Sequence, residues 1–450
     1  MKIASIILAA GQGTRMRSDL PKVLHPLLGR PLVRYALDSA KSLTQSKPVL
    51  VVGYGADAIR QEIGDAARFV LQEPQLGTGH AVQQAEPLLR GQADLVLVTY
   101  ADMPLLSLET LQALVEAQAS HSGPITMLSV VSDQPRGFGR VIRDEEGQVQ
   151  AIVEEAVATP EQLAVRELNV SAYCFQGDWL WEALPKIEVS AKGEYYLTDL
   201  VEIAVQEGRT VQAIRSDDLG ETIGINTRVH LAEAESLLRA RINRDWMLAG
   251  VSIIDPASTY IEPGVTIGRD SVIWPNTYLQ GETVIGEKSV VGPNTIVRDC
   301  RIGNECKLFS SVLESAVLED RVDIGPFAHL RKGAHLRDGV HMGNFGEVKN
   351  STLGPGAKMG HFSYLGDATI GANVNIGAGT ITCNYDGEKK NPTEIGEGAF
   401  IGSDTMLVAP VKLGKGARTG AGAVVTKNVP PDSLAVGVPA RVIRKLEKRD

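Results

Sequence analysis

Two hydrophobic patterns divide this chain of 450 residues. Before about residue 225, short apolar runs alternate with segments whose apolar residues recur three or four positions apart, as on one helix face. From Ile253 to Val425, apolar residues return instead at every sixth position, usually with glycine close behind. A period of six is typical of a parallel β-helix, in which each hexad forms one short strand and one corner. The repeat is carried by Ile267, Ile285, Ile302, Leu318, Ile324, Leu330, Leu336, Met342, Leu353, Met359, Ile370, Ile376, Ile395, Ile401, Leu407 and Leu413.

The first pattern predicts alternating strands and helices. We expect buried strands at Ile3–Ala9, Val49–Val52, Phe69–Gln72 and Leu95–Thr99, and helices at Pro31–Ser42, Gly79–Leu89 and Leu108–Ala119. Such alternation implies a mostly parallel sheet that is covered on both faces. Ligands of these sheets bind outside the carboxyl ends of the strands. The loops after Ala9 and Thr99 are therefore the places to search for a site.

A long helix is predicted between the two patterns, over Asn226–Ala249. Its apolar face comprises Leu231, Ala234, Leu238, Ile242 and Trp246, and Gly250 is a suitable stop. We therefore expect a first domain over 1–225, a linker helix over 226–250 and a second domain over 251–450. With ~18 residues and ~4.8 Å per coil, about ten coils would make a prism roughly 50 Å long.

Two segments depart from the six-residue repeat. Thr382–Thr393 is too polar and too long for a hexad, which predicts an extruded loop. The tail after Val436 leaves the repeat, and we expect its last residues to fray.

Composition restricts the class of protein. A formal net charge of −9 argues against a general nucleic-acid binder, which usually needs a basic face. The cysteines Cys174, Cys300, Cys306 and Cys383 form no CxxC pair, so neither a zinc ribbon nor a redox pair is indicated, and a reducing cytoplasm fits. The apolar start is too short for a signal peptide and better fits a buried strand. No apolar run approaches the ~18 residues of a membrane span.

A glycine loop follows the first strand in the sequence LAAGQGTRM, with Pro21-Lys22 shortly after. Gly11 and Gly13 would let the backbone approach a ligand and offer its N–H groups to phosphate oxygens, while Arg15 and Lys22 add positive charge. The loop is not a Walker sequence, because no GK[ST] follows, and it lacks the third glycine of a dinucleotide fingerprint. A bare GxG fits an ordinary strand–turn–helix junction equally well; the combination GxGTRM…PK is more specific.

Further motifs follow in order: QLGTGHA (75–81), TYADMP (99–104), GFGR (137–140), IVEE (152–155), ELNVS (167–171), GEYYLTD (193–199) and GINTR (224–228). Together with the glycine loop, they closely resemble the sugar-nucleotidyltransferase, or nucleotide-sugar pyrophosphorylase, family. Joined to a long hexapeptide region, they resemble its bacterial bifunctional branch over nearly the whole chain. The resemblance implies an α/β fold: a Rossmann-like nucleotidyltransferase domain with a mostly parallel sheet, a linker helix and a left-handed parallel β-helix.

The resemblance implies roles for residues of the first domain. A uridine nucleotide and a sugar would be bound by Leu8, Ala9, Ala10, Gly11, Lys22, Gln72, Gly77, Thr78, Tyr100, Ala101, Asp102, Gly139, Glu154, Asn169 and Asn226. Arg15 and Lys22 would hold the phosphates during transfer, and Asp102 with Asn226 would bind Mg²⁺. One carboxylate and one amide suit Mg²⁺, which completes its octahedron with water and phosphate oxygens. Asp102 alone could equally be a capping aspartate.

Two positions depart from the family pattern. Ala101 stands where glycine is frequent, and Gln12 stands where lysine is frequent. The first reduces backbone freedom, and the second removes one possible phosphate contact.

The resemblance also implies an acetyltransferase site in the hexapeptide region. His361 would be the general base for a substrate amine, and Glu347 would help to orient it. The sugar phosphate would be bound by Arg331, Lys349, Tyr364 and Asn375, and acetyl-CoA by Ala378, Asn384, Tyr385, Ser403 and Ala421. Gly437 stands where some relatives carry an arginine, so whether Arg441 contacts the coenzyme is open.

The function so implied is a two-step synthesis of UDP-N-acetylglucosamine. Glucosamine-1-phosphate would be acetylated by acetyl-CoA, and the product would be joined to UTP with release of pyrophosphate, in support of peptidoglycan synthesis. The enzyme would be a cytoplasmic homotrimer with small-molecule substrates and neither nucleic-acid nor membrane partners. One alternative keeps only the nucleotidyltransferase, with the β-helix as a trimerisation module. A regulatory relative with a dead site is a third.

Overall fold

The computed structural model describes residues 1–446 and divides into two compact units, the first over Met1–Leu237 and the second from Leu238 onwards. This boundary falls inside the helix Arg228–Leu248, which replaces the predicted Asn226–Ala249. The last tail residues, 447–450, on which the prediction of fraying falls, lie outside the described residues. Within residues 1–446, no helix is both long and apolar enough to cross a membrane.

A sheet of nine strands forms the centre of the first unit. Its main order is Val211–Arg215, Ile125–Val131, Glu167–Gln176, Leu95–Tyr100, Ile3–Ala9, Val49–Val52 and Arg68–Leu71. Glu167–Gln176 runs antiparallel to both neighbours, and the other pairings along this order are parallel. The hairpin Arg140–Arg143 and Val149–Val153 extends it, and Pro26–Leu27 pairs with Arg30–Pro31 separately. The prediction of a mostly parallel sheet is confirmed.

Helices cover this sheet. The α-helices are Leu32–Leu43, Ala56–Ile63, Thr78–Gln83, Glu86–Leu89, Leu108–Ser120, Pro160–Leu163, Gly177–Ala183 and Asp199–Gln206, before the helix at the boundary. Single 3₁₀ turns occupy Thr14–Met16, Lys22–Leu24, Gly64–Ala66, Glu155–Val157, Leu184–Lys186 and Leu219–Thr222. The helix predicted over Gly79–Leu89 is wrong as one element, because it is two short helices. Pro87 has no N–H to continue the first and stands in the opening turn of the second.

The second unit is a parallel β-helix with three faces. The first face holds Ser252–Ile253, Val272–Ile273, Val290–Val291, Lys307–Leu308, Asp323–Ile324, His341–Met342, Lys358–Met359, Asn375–Ile376, Phe400–Ile401, Arg418–Thr419, Ser433–Gly437 and Ala440–Lys445. The second face holds Tyr260–Ile261, Tyr278–Gln280, Ile296–Arg298, Val312–Glu314, His329–Leu330, Gly346–Lys349, Ser363–Gly366, Ile381–Cys383, Met406–Val408 and Val424–Val425. The third face holds Thr266–Ile267, Val284–Ile285, Arg301–Ile302, Val317–Leu318, His335–Leu336, Thr352–Leu353, Ala368–Ile370, Thr393–Ile395 and Val411–Leu413. A 3₁₀ turn at Pro256–Ser258 lies in the opening coil.

The hexad positions fill the interior of this prism. All sixteen are buried, from Ile267 to Leu413, and burying one such side chain contributes about 1.5–3 kcal/mol. Asn243 ties the end of the long helix to the opening coil, because its Nδ2 donates to the carbonyls of Pro256 and Thr259 at 2.9 and 3.0 Å. The prism is therefore a rigid support for side chains on its outside.

The predicted extruded loop is shorter than expected. Strands extend over Ile381–Cys383 and Thr393–Ile395, so the loop is 384–392, and within it Asn384 is buried. Thr382 and Thr393 pair with neighbouring coils, and that ladder outweighs the polarity of their hydroxyls. Past the last coil, the predicted departure from the repeat is an antiparallel hairpin between the last two strands of the first face.

Candidate active sites

The carboxyl ends of Ile3–Ala9 and Leu95–Tyr100 open onto a cavity of about 330 Å³. Its walls include Leu8, Ala9, Ala10, Gly11, Lys22, Gln72, Gly77, Thr78, Tyr100 and Asp102, all of them residues that the sequence assigns to nucleotide binding. A cavity of about 370 Å³ beside Phe138, Arg166 and Leu219 lacks the glycine loop and Asp102. The smaller cavity is therefore the candidate nucleotide site.

Lys22, Asp102 and Asn226 meet at this cavity although they lie far apart in the sequence. The Lys22 ammonium donates to Asp102 Oδ2 and lies 3.2 Å from Asn226 Oδ1. The Asn226 segment is fixed beside Asp102, because the N–H of Ile225 donates to the Asp102 carbonyl at 2.8 Å. Two hard oxygen donors thus converge on one positive charge. Such a pair fits a divalent cation that keeps water and phosphate ligands.

Two glycines allow close approaches around this site. Gly13 has a φ of 67°, and a Cβ there would lie 2.6 Å from Lys22 Cβ. Gly77 has a φ of 101°, and a Cβ there would lie 2.6 Å from the Tyr195 carbonyl oxygen. Gly11 is open, because a Cβ there would meet no atom within 4 Å. Gly13 therefore makes room for the lysine, and Gly11 leaves the loop accessible to a ligand.

Hydrogen bonds orient Gln72 and Thr78 at the cavity wall. The buried Gln72 amide donates through Nε2 to the Gly77 carbonyl at 2.8 Å, and Thr78 Oγ1 accepts from the N–H of Leu197 at 2.9 Å. Within residues 1–446, Gln72 Oε1 has no hydrogen-bond partner, and this oxygen is the amide atom available to a base.

The predicted sugar residues lie together at the same sheet edge. The N–H of Asn169 donates to the Gly139 carbonyl at 2.9 Å, and Asn169 Nδ2 donates to the Tyr173 hydroxyl at 2.6 Å. Burial, the neighbouring Tyr100 and the Glu154 charge raise the pKa of Tyr173. Burial also raises the pKa of Glu154, against a 3.1 Å hydrogen bond from Thr198 Oγ1. The group is polar but shielded from solvent, which suits recognition of a sugar.

Arg15 and Gln12 lie outside this tight arrangement, whereas Ala101 is part of it. Arg15 is exposed and forms no ion pair or hydrogen bond with any other residue of 1–446, so it is free to reach phosphates. Gln12 faces an adjacent hollow, together with Tyr54 and Pro74. Ala101 fits without the glycine of relatives, because it is buried and its N–H donates to the Leu8 carbonyl at 3.0 Å.

Sequence reasoning missed several residues of the cavity wall. Glu194 and Tyr196 come from GEYYLTD, a motif that we recognised without assigning any of its residues. Gln75 closes the opposite side, and its Nε2 donates to the Ala10 carbonyl at 2.6 Å. Gln75 opens the recognised motif QLGTGHA, but the sequence assigned it no role.

In the prism, His361 stands at the corner between the first and second faces. Ala378, Ser403 and Ala421 occupy the same corner on successive coils. Backbone bonds stack these corners, since Gly379 N–H donates to the Phe362 carbonyl and Gly422 N–H to the Ser403 carbonyl, at 2.7 and 2.8 Å. We call His361, Ala378, Ser403 and Ala421 the corner column. Three coil spacings make it roughly 14 Å long.

Cationic side chains gather at the other end of the second face. Arg331 Nη1 donates to Glu347 Oε1 at 3.0 Å. Contact with the Lys390 ammonium, together with the charge of Arg331, lowers the pKa of Lys349. We call Arg331, Lys349 and Lys390 the cationic cluster. The sequence did not reveal Lys390, because it comes from the polar loop and not from the repeat; adjacent cations of this kind favour an anionic ligand.

Glu347 and Tyr364 lie side by side between these two groups, in register on neighbouring strands. The Glu347 carboxylate is held by Arg331, and no residue of 1–446 hydrogen-bonds to the exposed His361. The structure therefore pairs Glu347 with the cationic cluster and leaves the imidazole open to a ligand.

The remaining predicted residues do not all meet within one chain. Asn375 lies on the first face, in register with Lys358 and Phe400. Asn384 and Tyr385 follow the far end of a second-face strand, away from the corner column. Asn384 Nδ2 donates to Asp367 Oδ2 at 2.6 Å, whereas Tyr385 is 61 % exposed.

Arg441 lies in the terminal hairpin, in register with Val436. Its side chain is exposed, and its Nη1 donates only to its neighbour's carbonyl, that of Ala440, at 3.2 Å. Gly437 occupies the hairpin end with a φ of 96°, a conformation that suits glycine better than arginine.

Comparison with known proteins agrees with both halves of this description. A sequence model described as a MobA-like NTP transferase domain matches residues 5–172, and one described as a bacterial transferase hexapeptide (six repeats) matches residues 392–427. The chain is 46 % identical to the "Bifunctional protein GlmU" of Geobacillus sp. (strain WCH70), over 97 % of this chain and 95 % of that protein. Proteins of the same name in Heliobacterium modesticaldum and Trichlorobacter lovleyi are 47 % and 46 % identical, over 97 % and 99 % of this chain and 95 % and 99 % of theirs. The chain therefore belongs to the family of the bifunctional protein GlmU.

Proposed function

We propose that this protein carries out the last two steps of UDP-N-acetylglucosamine synthesis at two separate sites. The observation that carries the proposal is the presence of two separate polar groups on one chain. One is the cavity with Lys22, Asp102 and Asn226, and the other is the second face between His361 and the cationic cluster. A binding module or a trimerisation scaffold would need neither.

At the first site, the sugar phosphate of N-acetylglucosamine-1-phosphate attacks the α-phosphorus of UTP. A new P–O bond forms, the bond to the bridging oxygen breaks, and pyrophosphate leaves with its electron pair. Arg15 and Lys22 offset the repulsion between the two anions and stabilise the charge of the transition state. Gly139, Glu154 and Asn169 hold the sugar so that attack is in line.

Asp102 and Asn226 would hold Mg²⁺ at this site. When bound, Mg²⁺ supplies electrostatic stabilisation of the phosphate oxygens. The two ligands are oxygens, and the structure converges them on one positive charge.

At the second site, His361 takes a proton from the ammonium of glucosamine-1-phosphate. The free amine attacks the thioester carbonyl of acetyl-CoA, and a C–N bond forms. The C–S bond breaks, and the thiolate leaves with its electron pair and takes up the proton that the attacking nitrogen releases. The cationic cluster binds the phosphate, and Tyr364 and Asn375 contact the sugar. The corner column, with Asn384 and Tyr385, positions the coenzyme. Histidine is a frequent general base, because its two ring nitrogens can accept and donate protons near neutral pH.

We propose that the protein is a homotrimer whose second faces lie against neighbouring chains. Outward positions of the second face begin with Tyr260, Tyr278, Ile296 and Val312, and the rings of Tyr260 and Tyr278 stack at 4.6 Å. Equivalent first-face positions are mixed, with Val272 and Val290 between the polar Ser252 and Lys307. A neighbouring chain would cover this apolar stretch and bring its own 384–392 loop to the corner column. Light scattering should give three times the 48.2 kDa chain mass.

We also retain the domain limits 1–225, 226–250 and 251–450 as a proposal, with the cytoplasm as the compartment. All four cysteines are free, and three of them are buried. A fragment ending at Leu237 should fold and retain uridylyl transfer, because the nucleotide cavity is built within the first unit.

Paired assays on the purified protein test the main proposal. Thiol release is followed with acetyl-CoA and glucosamine-1-phosphate, and pyrophosphate release with UTP and N-acetylglucosamine-1-phosphate. Both should be observed. Pyrophosphate release without thiol release would favour the alternative in which the prism serves only trimerisation.

A further inference from the structure

In the nucleotide cavity, the Lys22 ammonium binds the same two oxygens that we assign to the divalent cation. It donates to Asp102 Oδ2 and lies 3.2 Å from Asn226 Oδ1. The side chains of Lys22 and Asp102 are only 12 % and 19 % exposed, so solvent screens the pair weakly. An ammonium and a divalent cation cannot both contact these oxygens, because two positive centres would then lie within a few ångströms of each other.

The Lys22 ammonium can also occupy a second position, beside the phosphates of a nucleotide in the cavity. Lys22 also lines the cavity that receives the nucleotide, while its stem is confined at the other end by Gly13, where even a Cβ would come within 2.6 Å of Lys22 Cβ. Rotation about the distal bonds of the side chain would carry Nζ from Asp102 towards phosphate oxygens while the backbone stays fixed. A lysine has enough rotatable bonds for this exchange.

We propose that Lys22 is a positioning residue that occupies the cation site in the nucleotide-free enzyme and transfers to the phosphates when the cation binds. The inference rests on the proposed uridylyltransferase site. The exchange keeps a positive charge beside Asp102 in both states, so this carboxylate is never left unpaired in a shielded position. The exchange also couples two binding events. Cation binding at Asp102 displaces the Lys22 ammonium, which can then contact the phosphates of the nucleotide.

If the exchange occurs, removal of the Lys22 ammonium should strengthen cation binding. This binding can be measured with Mn²⁺ on the full chain without nucleotide. Free Mn²⁺ is followed by electron paramagnetic resonance. Lys22→Met removes the competing ammonium and should tighten Mn²⁺ binding by roughly three- to tenfold, the range expected for loss of a partly shielded ion pair. Arg15→Met is the matched control, since it removes one positive charge from the same region but not from Asp102, and it should change the affinity by less than about twofold.

Asp102→Asn separates failure of this inference from failure of the proposed function. If Asp102→Asn leaves Mn²⁺ binding unchanged, the assigned cation site is wrong. If Asp102→Asn abolishes the binding but Lys22→Met leaves it equal or weaker, the cation site stands and the exchange is overturned. Equal strengthening by Lys22→Met and Arg15→Met would also overturn it, because general charge would then explain the effect. Circular dichroism and thermal unfolding of each variant verify that the first unit is folded.

Discussion

The polar groups of the first unit converge on one cavity, whereas those of the second are spread along the outside of a repeat. In the sheet, parallel strands end at one edge, so Asp102 and the glycine loop meet there and Asn226 joins them from the far end of the unit. In the prism, neighbouring coils stack at a constant spacing, so His361 and the cationic cluster stay at opposite ends of one face. The first unit thus gathers its site around one cavity, whereas the predicted acetyltransferase residues of the second do not all meet within one chain.

The largest expected effects test whether the two sites are independent. His361→Ala should lower acetyl transfer by roughly 10²–10⁴-fold, the usual contribution of a general base, and leave uridylyl transfer nearly intact. Asp102→Ala should lower uridylyl transfer by at least about 100-fold and spare acetyl transfer. Both activities are assayed on the folded protein. Loss of both activities from either substitution would contradict the independence of the sites.

Mixing variant subunits should show whether the acetyltransferase site takes residues from two chains while the nucleotide cavity takes them from one. If each acetyltransferase site takes His361 from one chain and Tyr385 from another, equal mixing of His361→Ala and Tyr385→Ala chains should restore about a quarter of the sites. Acetyl transfer is measured after the chains are unfolded together and refolded. The matched control mixes Asp102→Ala with Lys22→Met, which should restore no uridylyl transfer because both residues serve one cavity. No recovery in the first mixture would place the whole acetyltransferase site within one chain.

A smaller effect is expected at Gly366, on the second face. A Cβ there would lie 2.3 Å from the Tyr364 hydroxyl oxygen and 2.6 Å from Asn384 Nδ2. Gly366→Ala should therefore displace the tyrosine and raise the KM for the amino sugar by roughly tenfold, a loss of about 1.4 kcal/mol. The same substitution in a Tyr364→Phe background is the control, and its effect there should be smaller. An equal effect in both backgrounds would show that the hydroxyl contact is not the cause.

The smallest effect concerns pH and stability. Burial and the neighbouring Glu154 and Glu202 carboxylates raise the pKa of Asp199 to about 6, from an ordinary value of 3.8. The folded state thus binds this proton more tightly, so its contribution to the free energy of unfolding is present below pH 3.8 and is lost as the pH rises through about 6. Asp199→Asn should flatten this dependence and stabilise the first unit at neutral pH by less than ~1 kcal/mol after solvent screening.

Thermal unfolding between about pH 4 and 7 measures this slope, and Asp386 in the prism loop supplies the control. The N–H groups of Lys389 and Glu388 and the Asn391 amide lower the pKa of Asp386 to about 2. Its stabilising contribution is present above its ordinary pKa and is lost only as the pH falls towards 2. Asp386→Asn should therefore leave the slope in the higher window unchanged, and an unchanged slope in Asp199→Asn would refute the assignment.

The comparison also explains what the sequence could reveal. The hexad repeat gave the prism interior residue by residue, because burial at Ile324 or Met342 depends on a local period. The glycine loop and TYADMP identified the cavity, because their positions follow from strand ends. Lys390 was missed, and Gln75 was recognised within its motif but given no role, since each acts through a contact with a distant segment that no local pattern encodes. The strand Glu167–Gln176 was missed for a related reason: antiparallel insertion into a parallel sheet is decided by neighbours and not by its own composition.

The residues of the corner column are separated by a fixed distance, one coil spacing for each coil. Each coil between His361 and Ala421 adds one strand spacing of ~4.8 Å to the path along which the coenzyme would lie. Removal of one whole coil would preserve the interior packing and shorten that path by a single step, whereas a partial deletion would break the ladder. Along the corner column, the distance from His361 to each proposed coenzyme contact is therefore set by an integer number of coils.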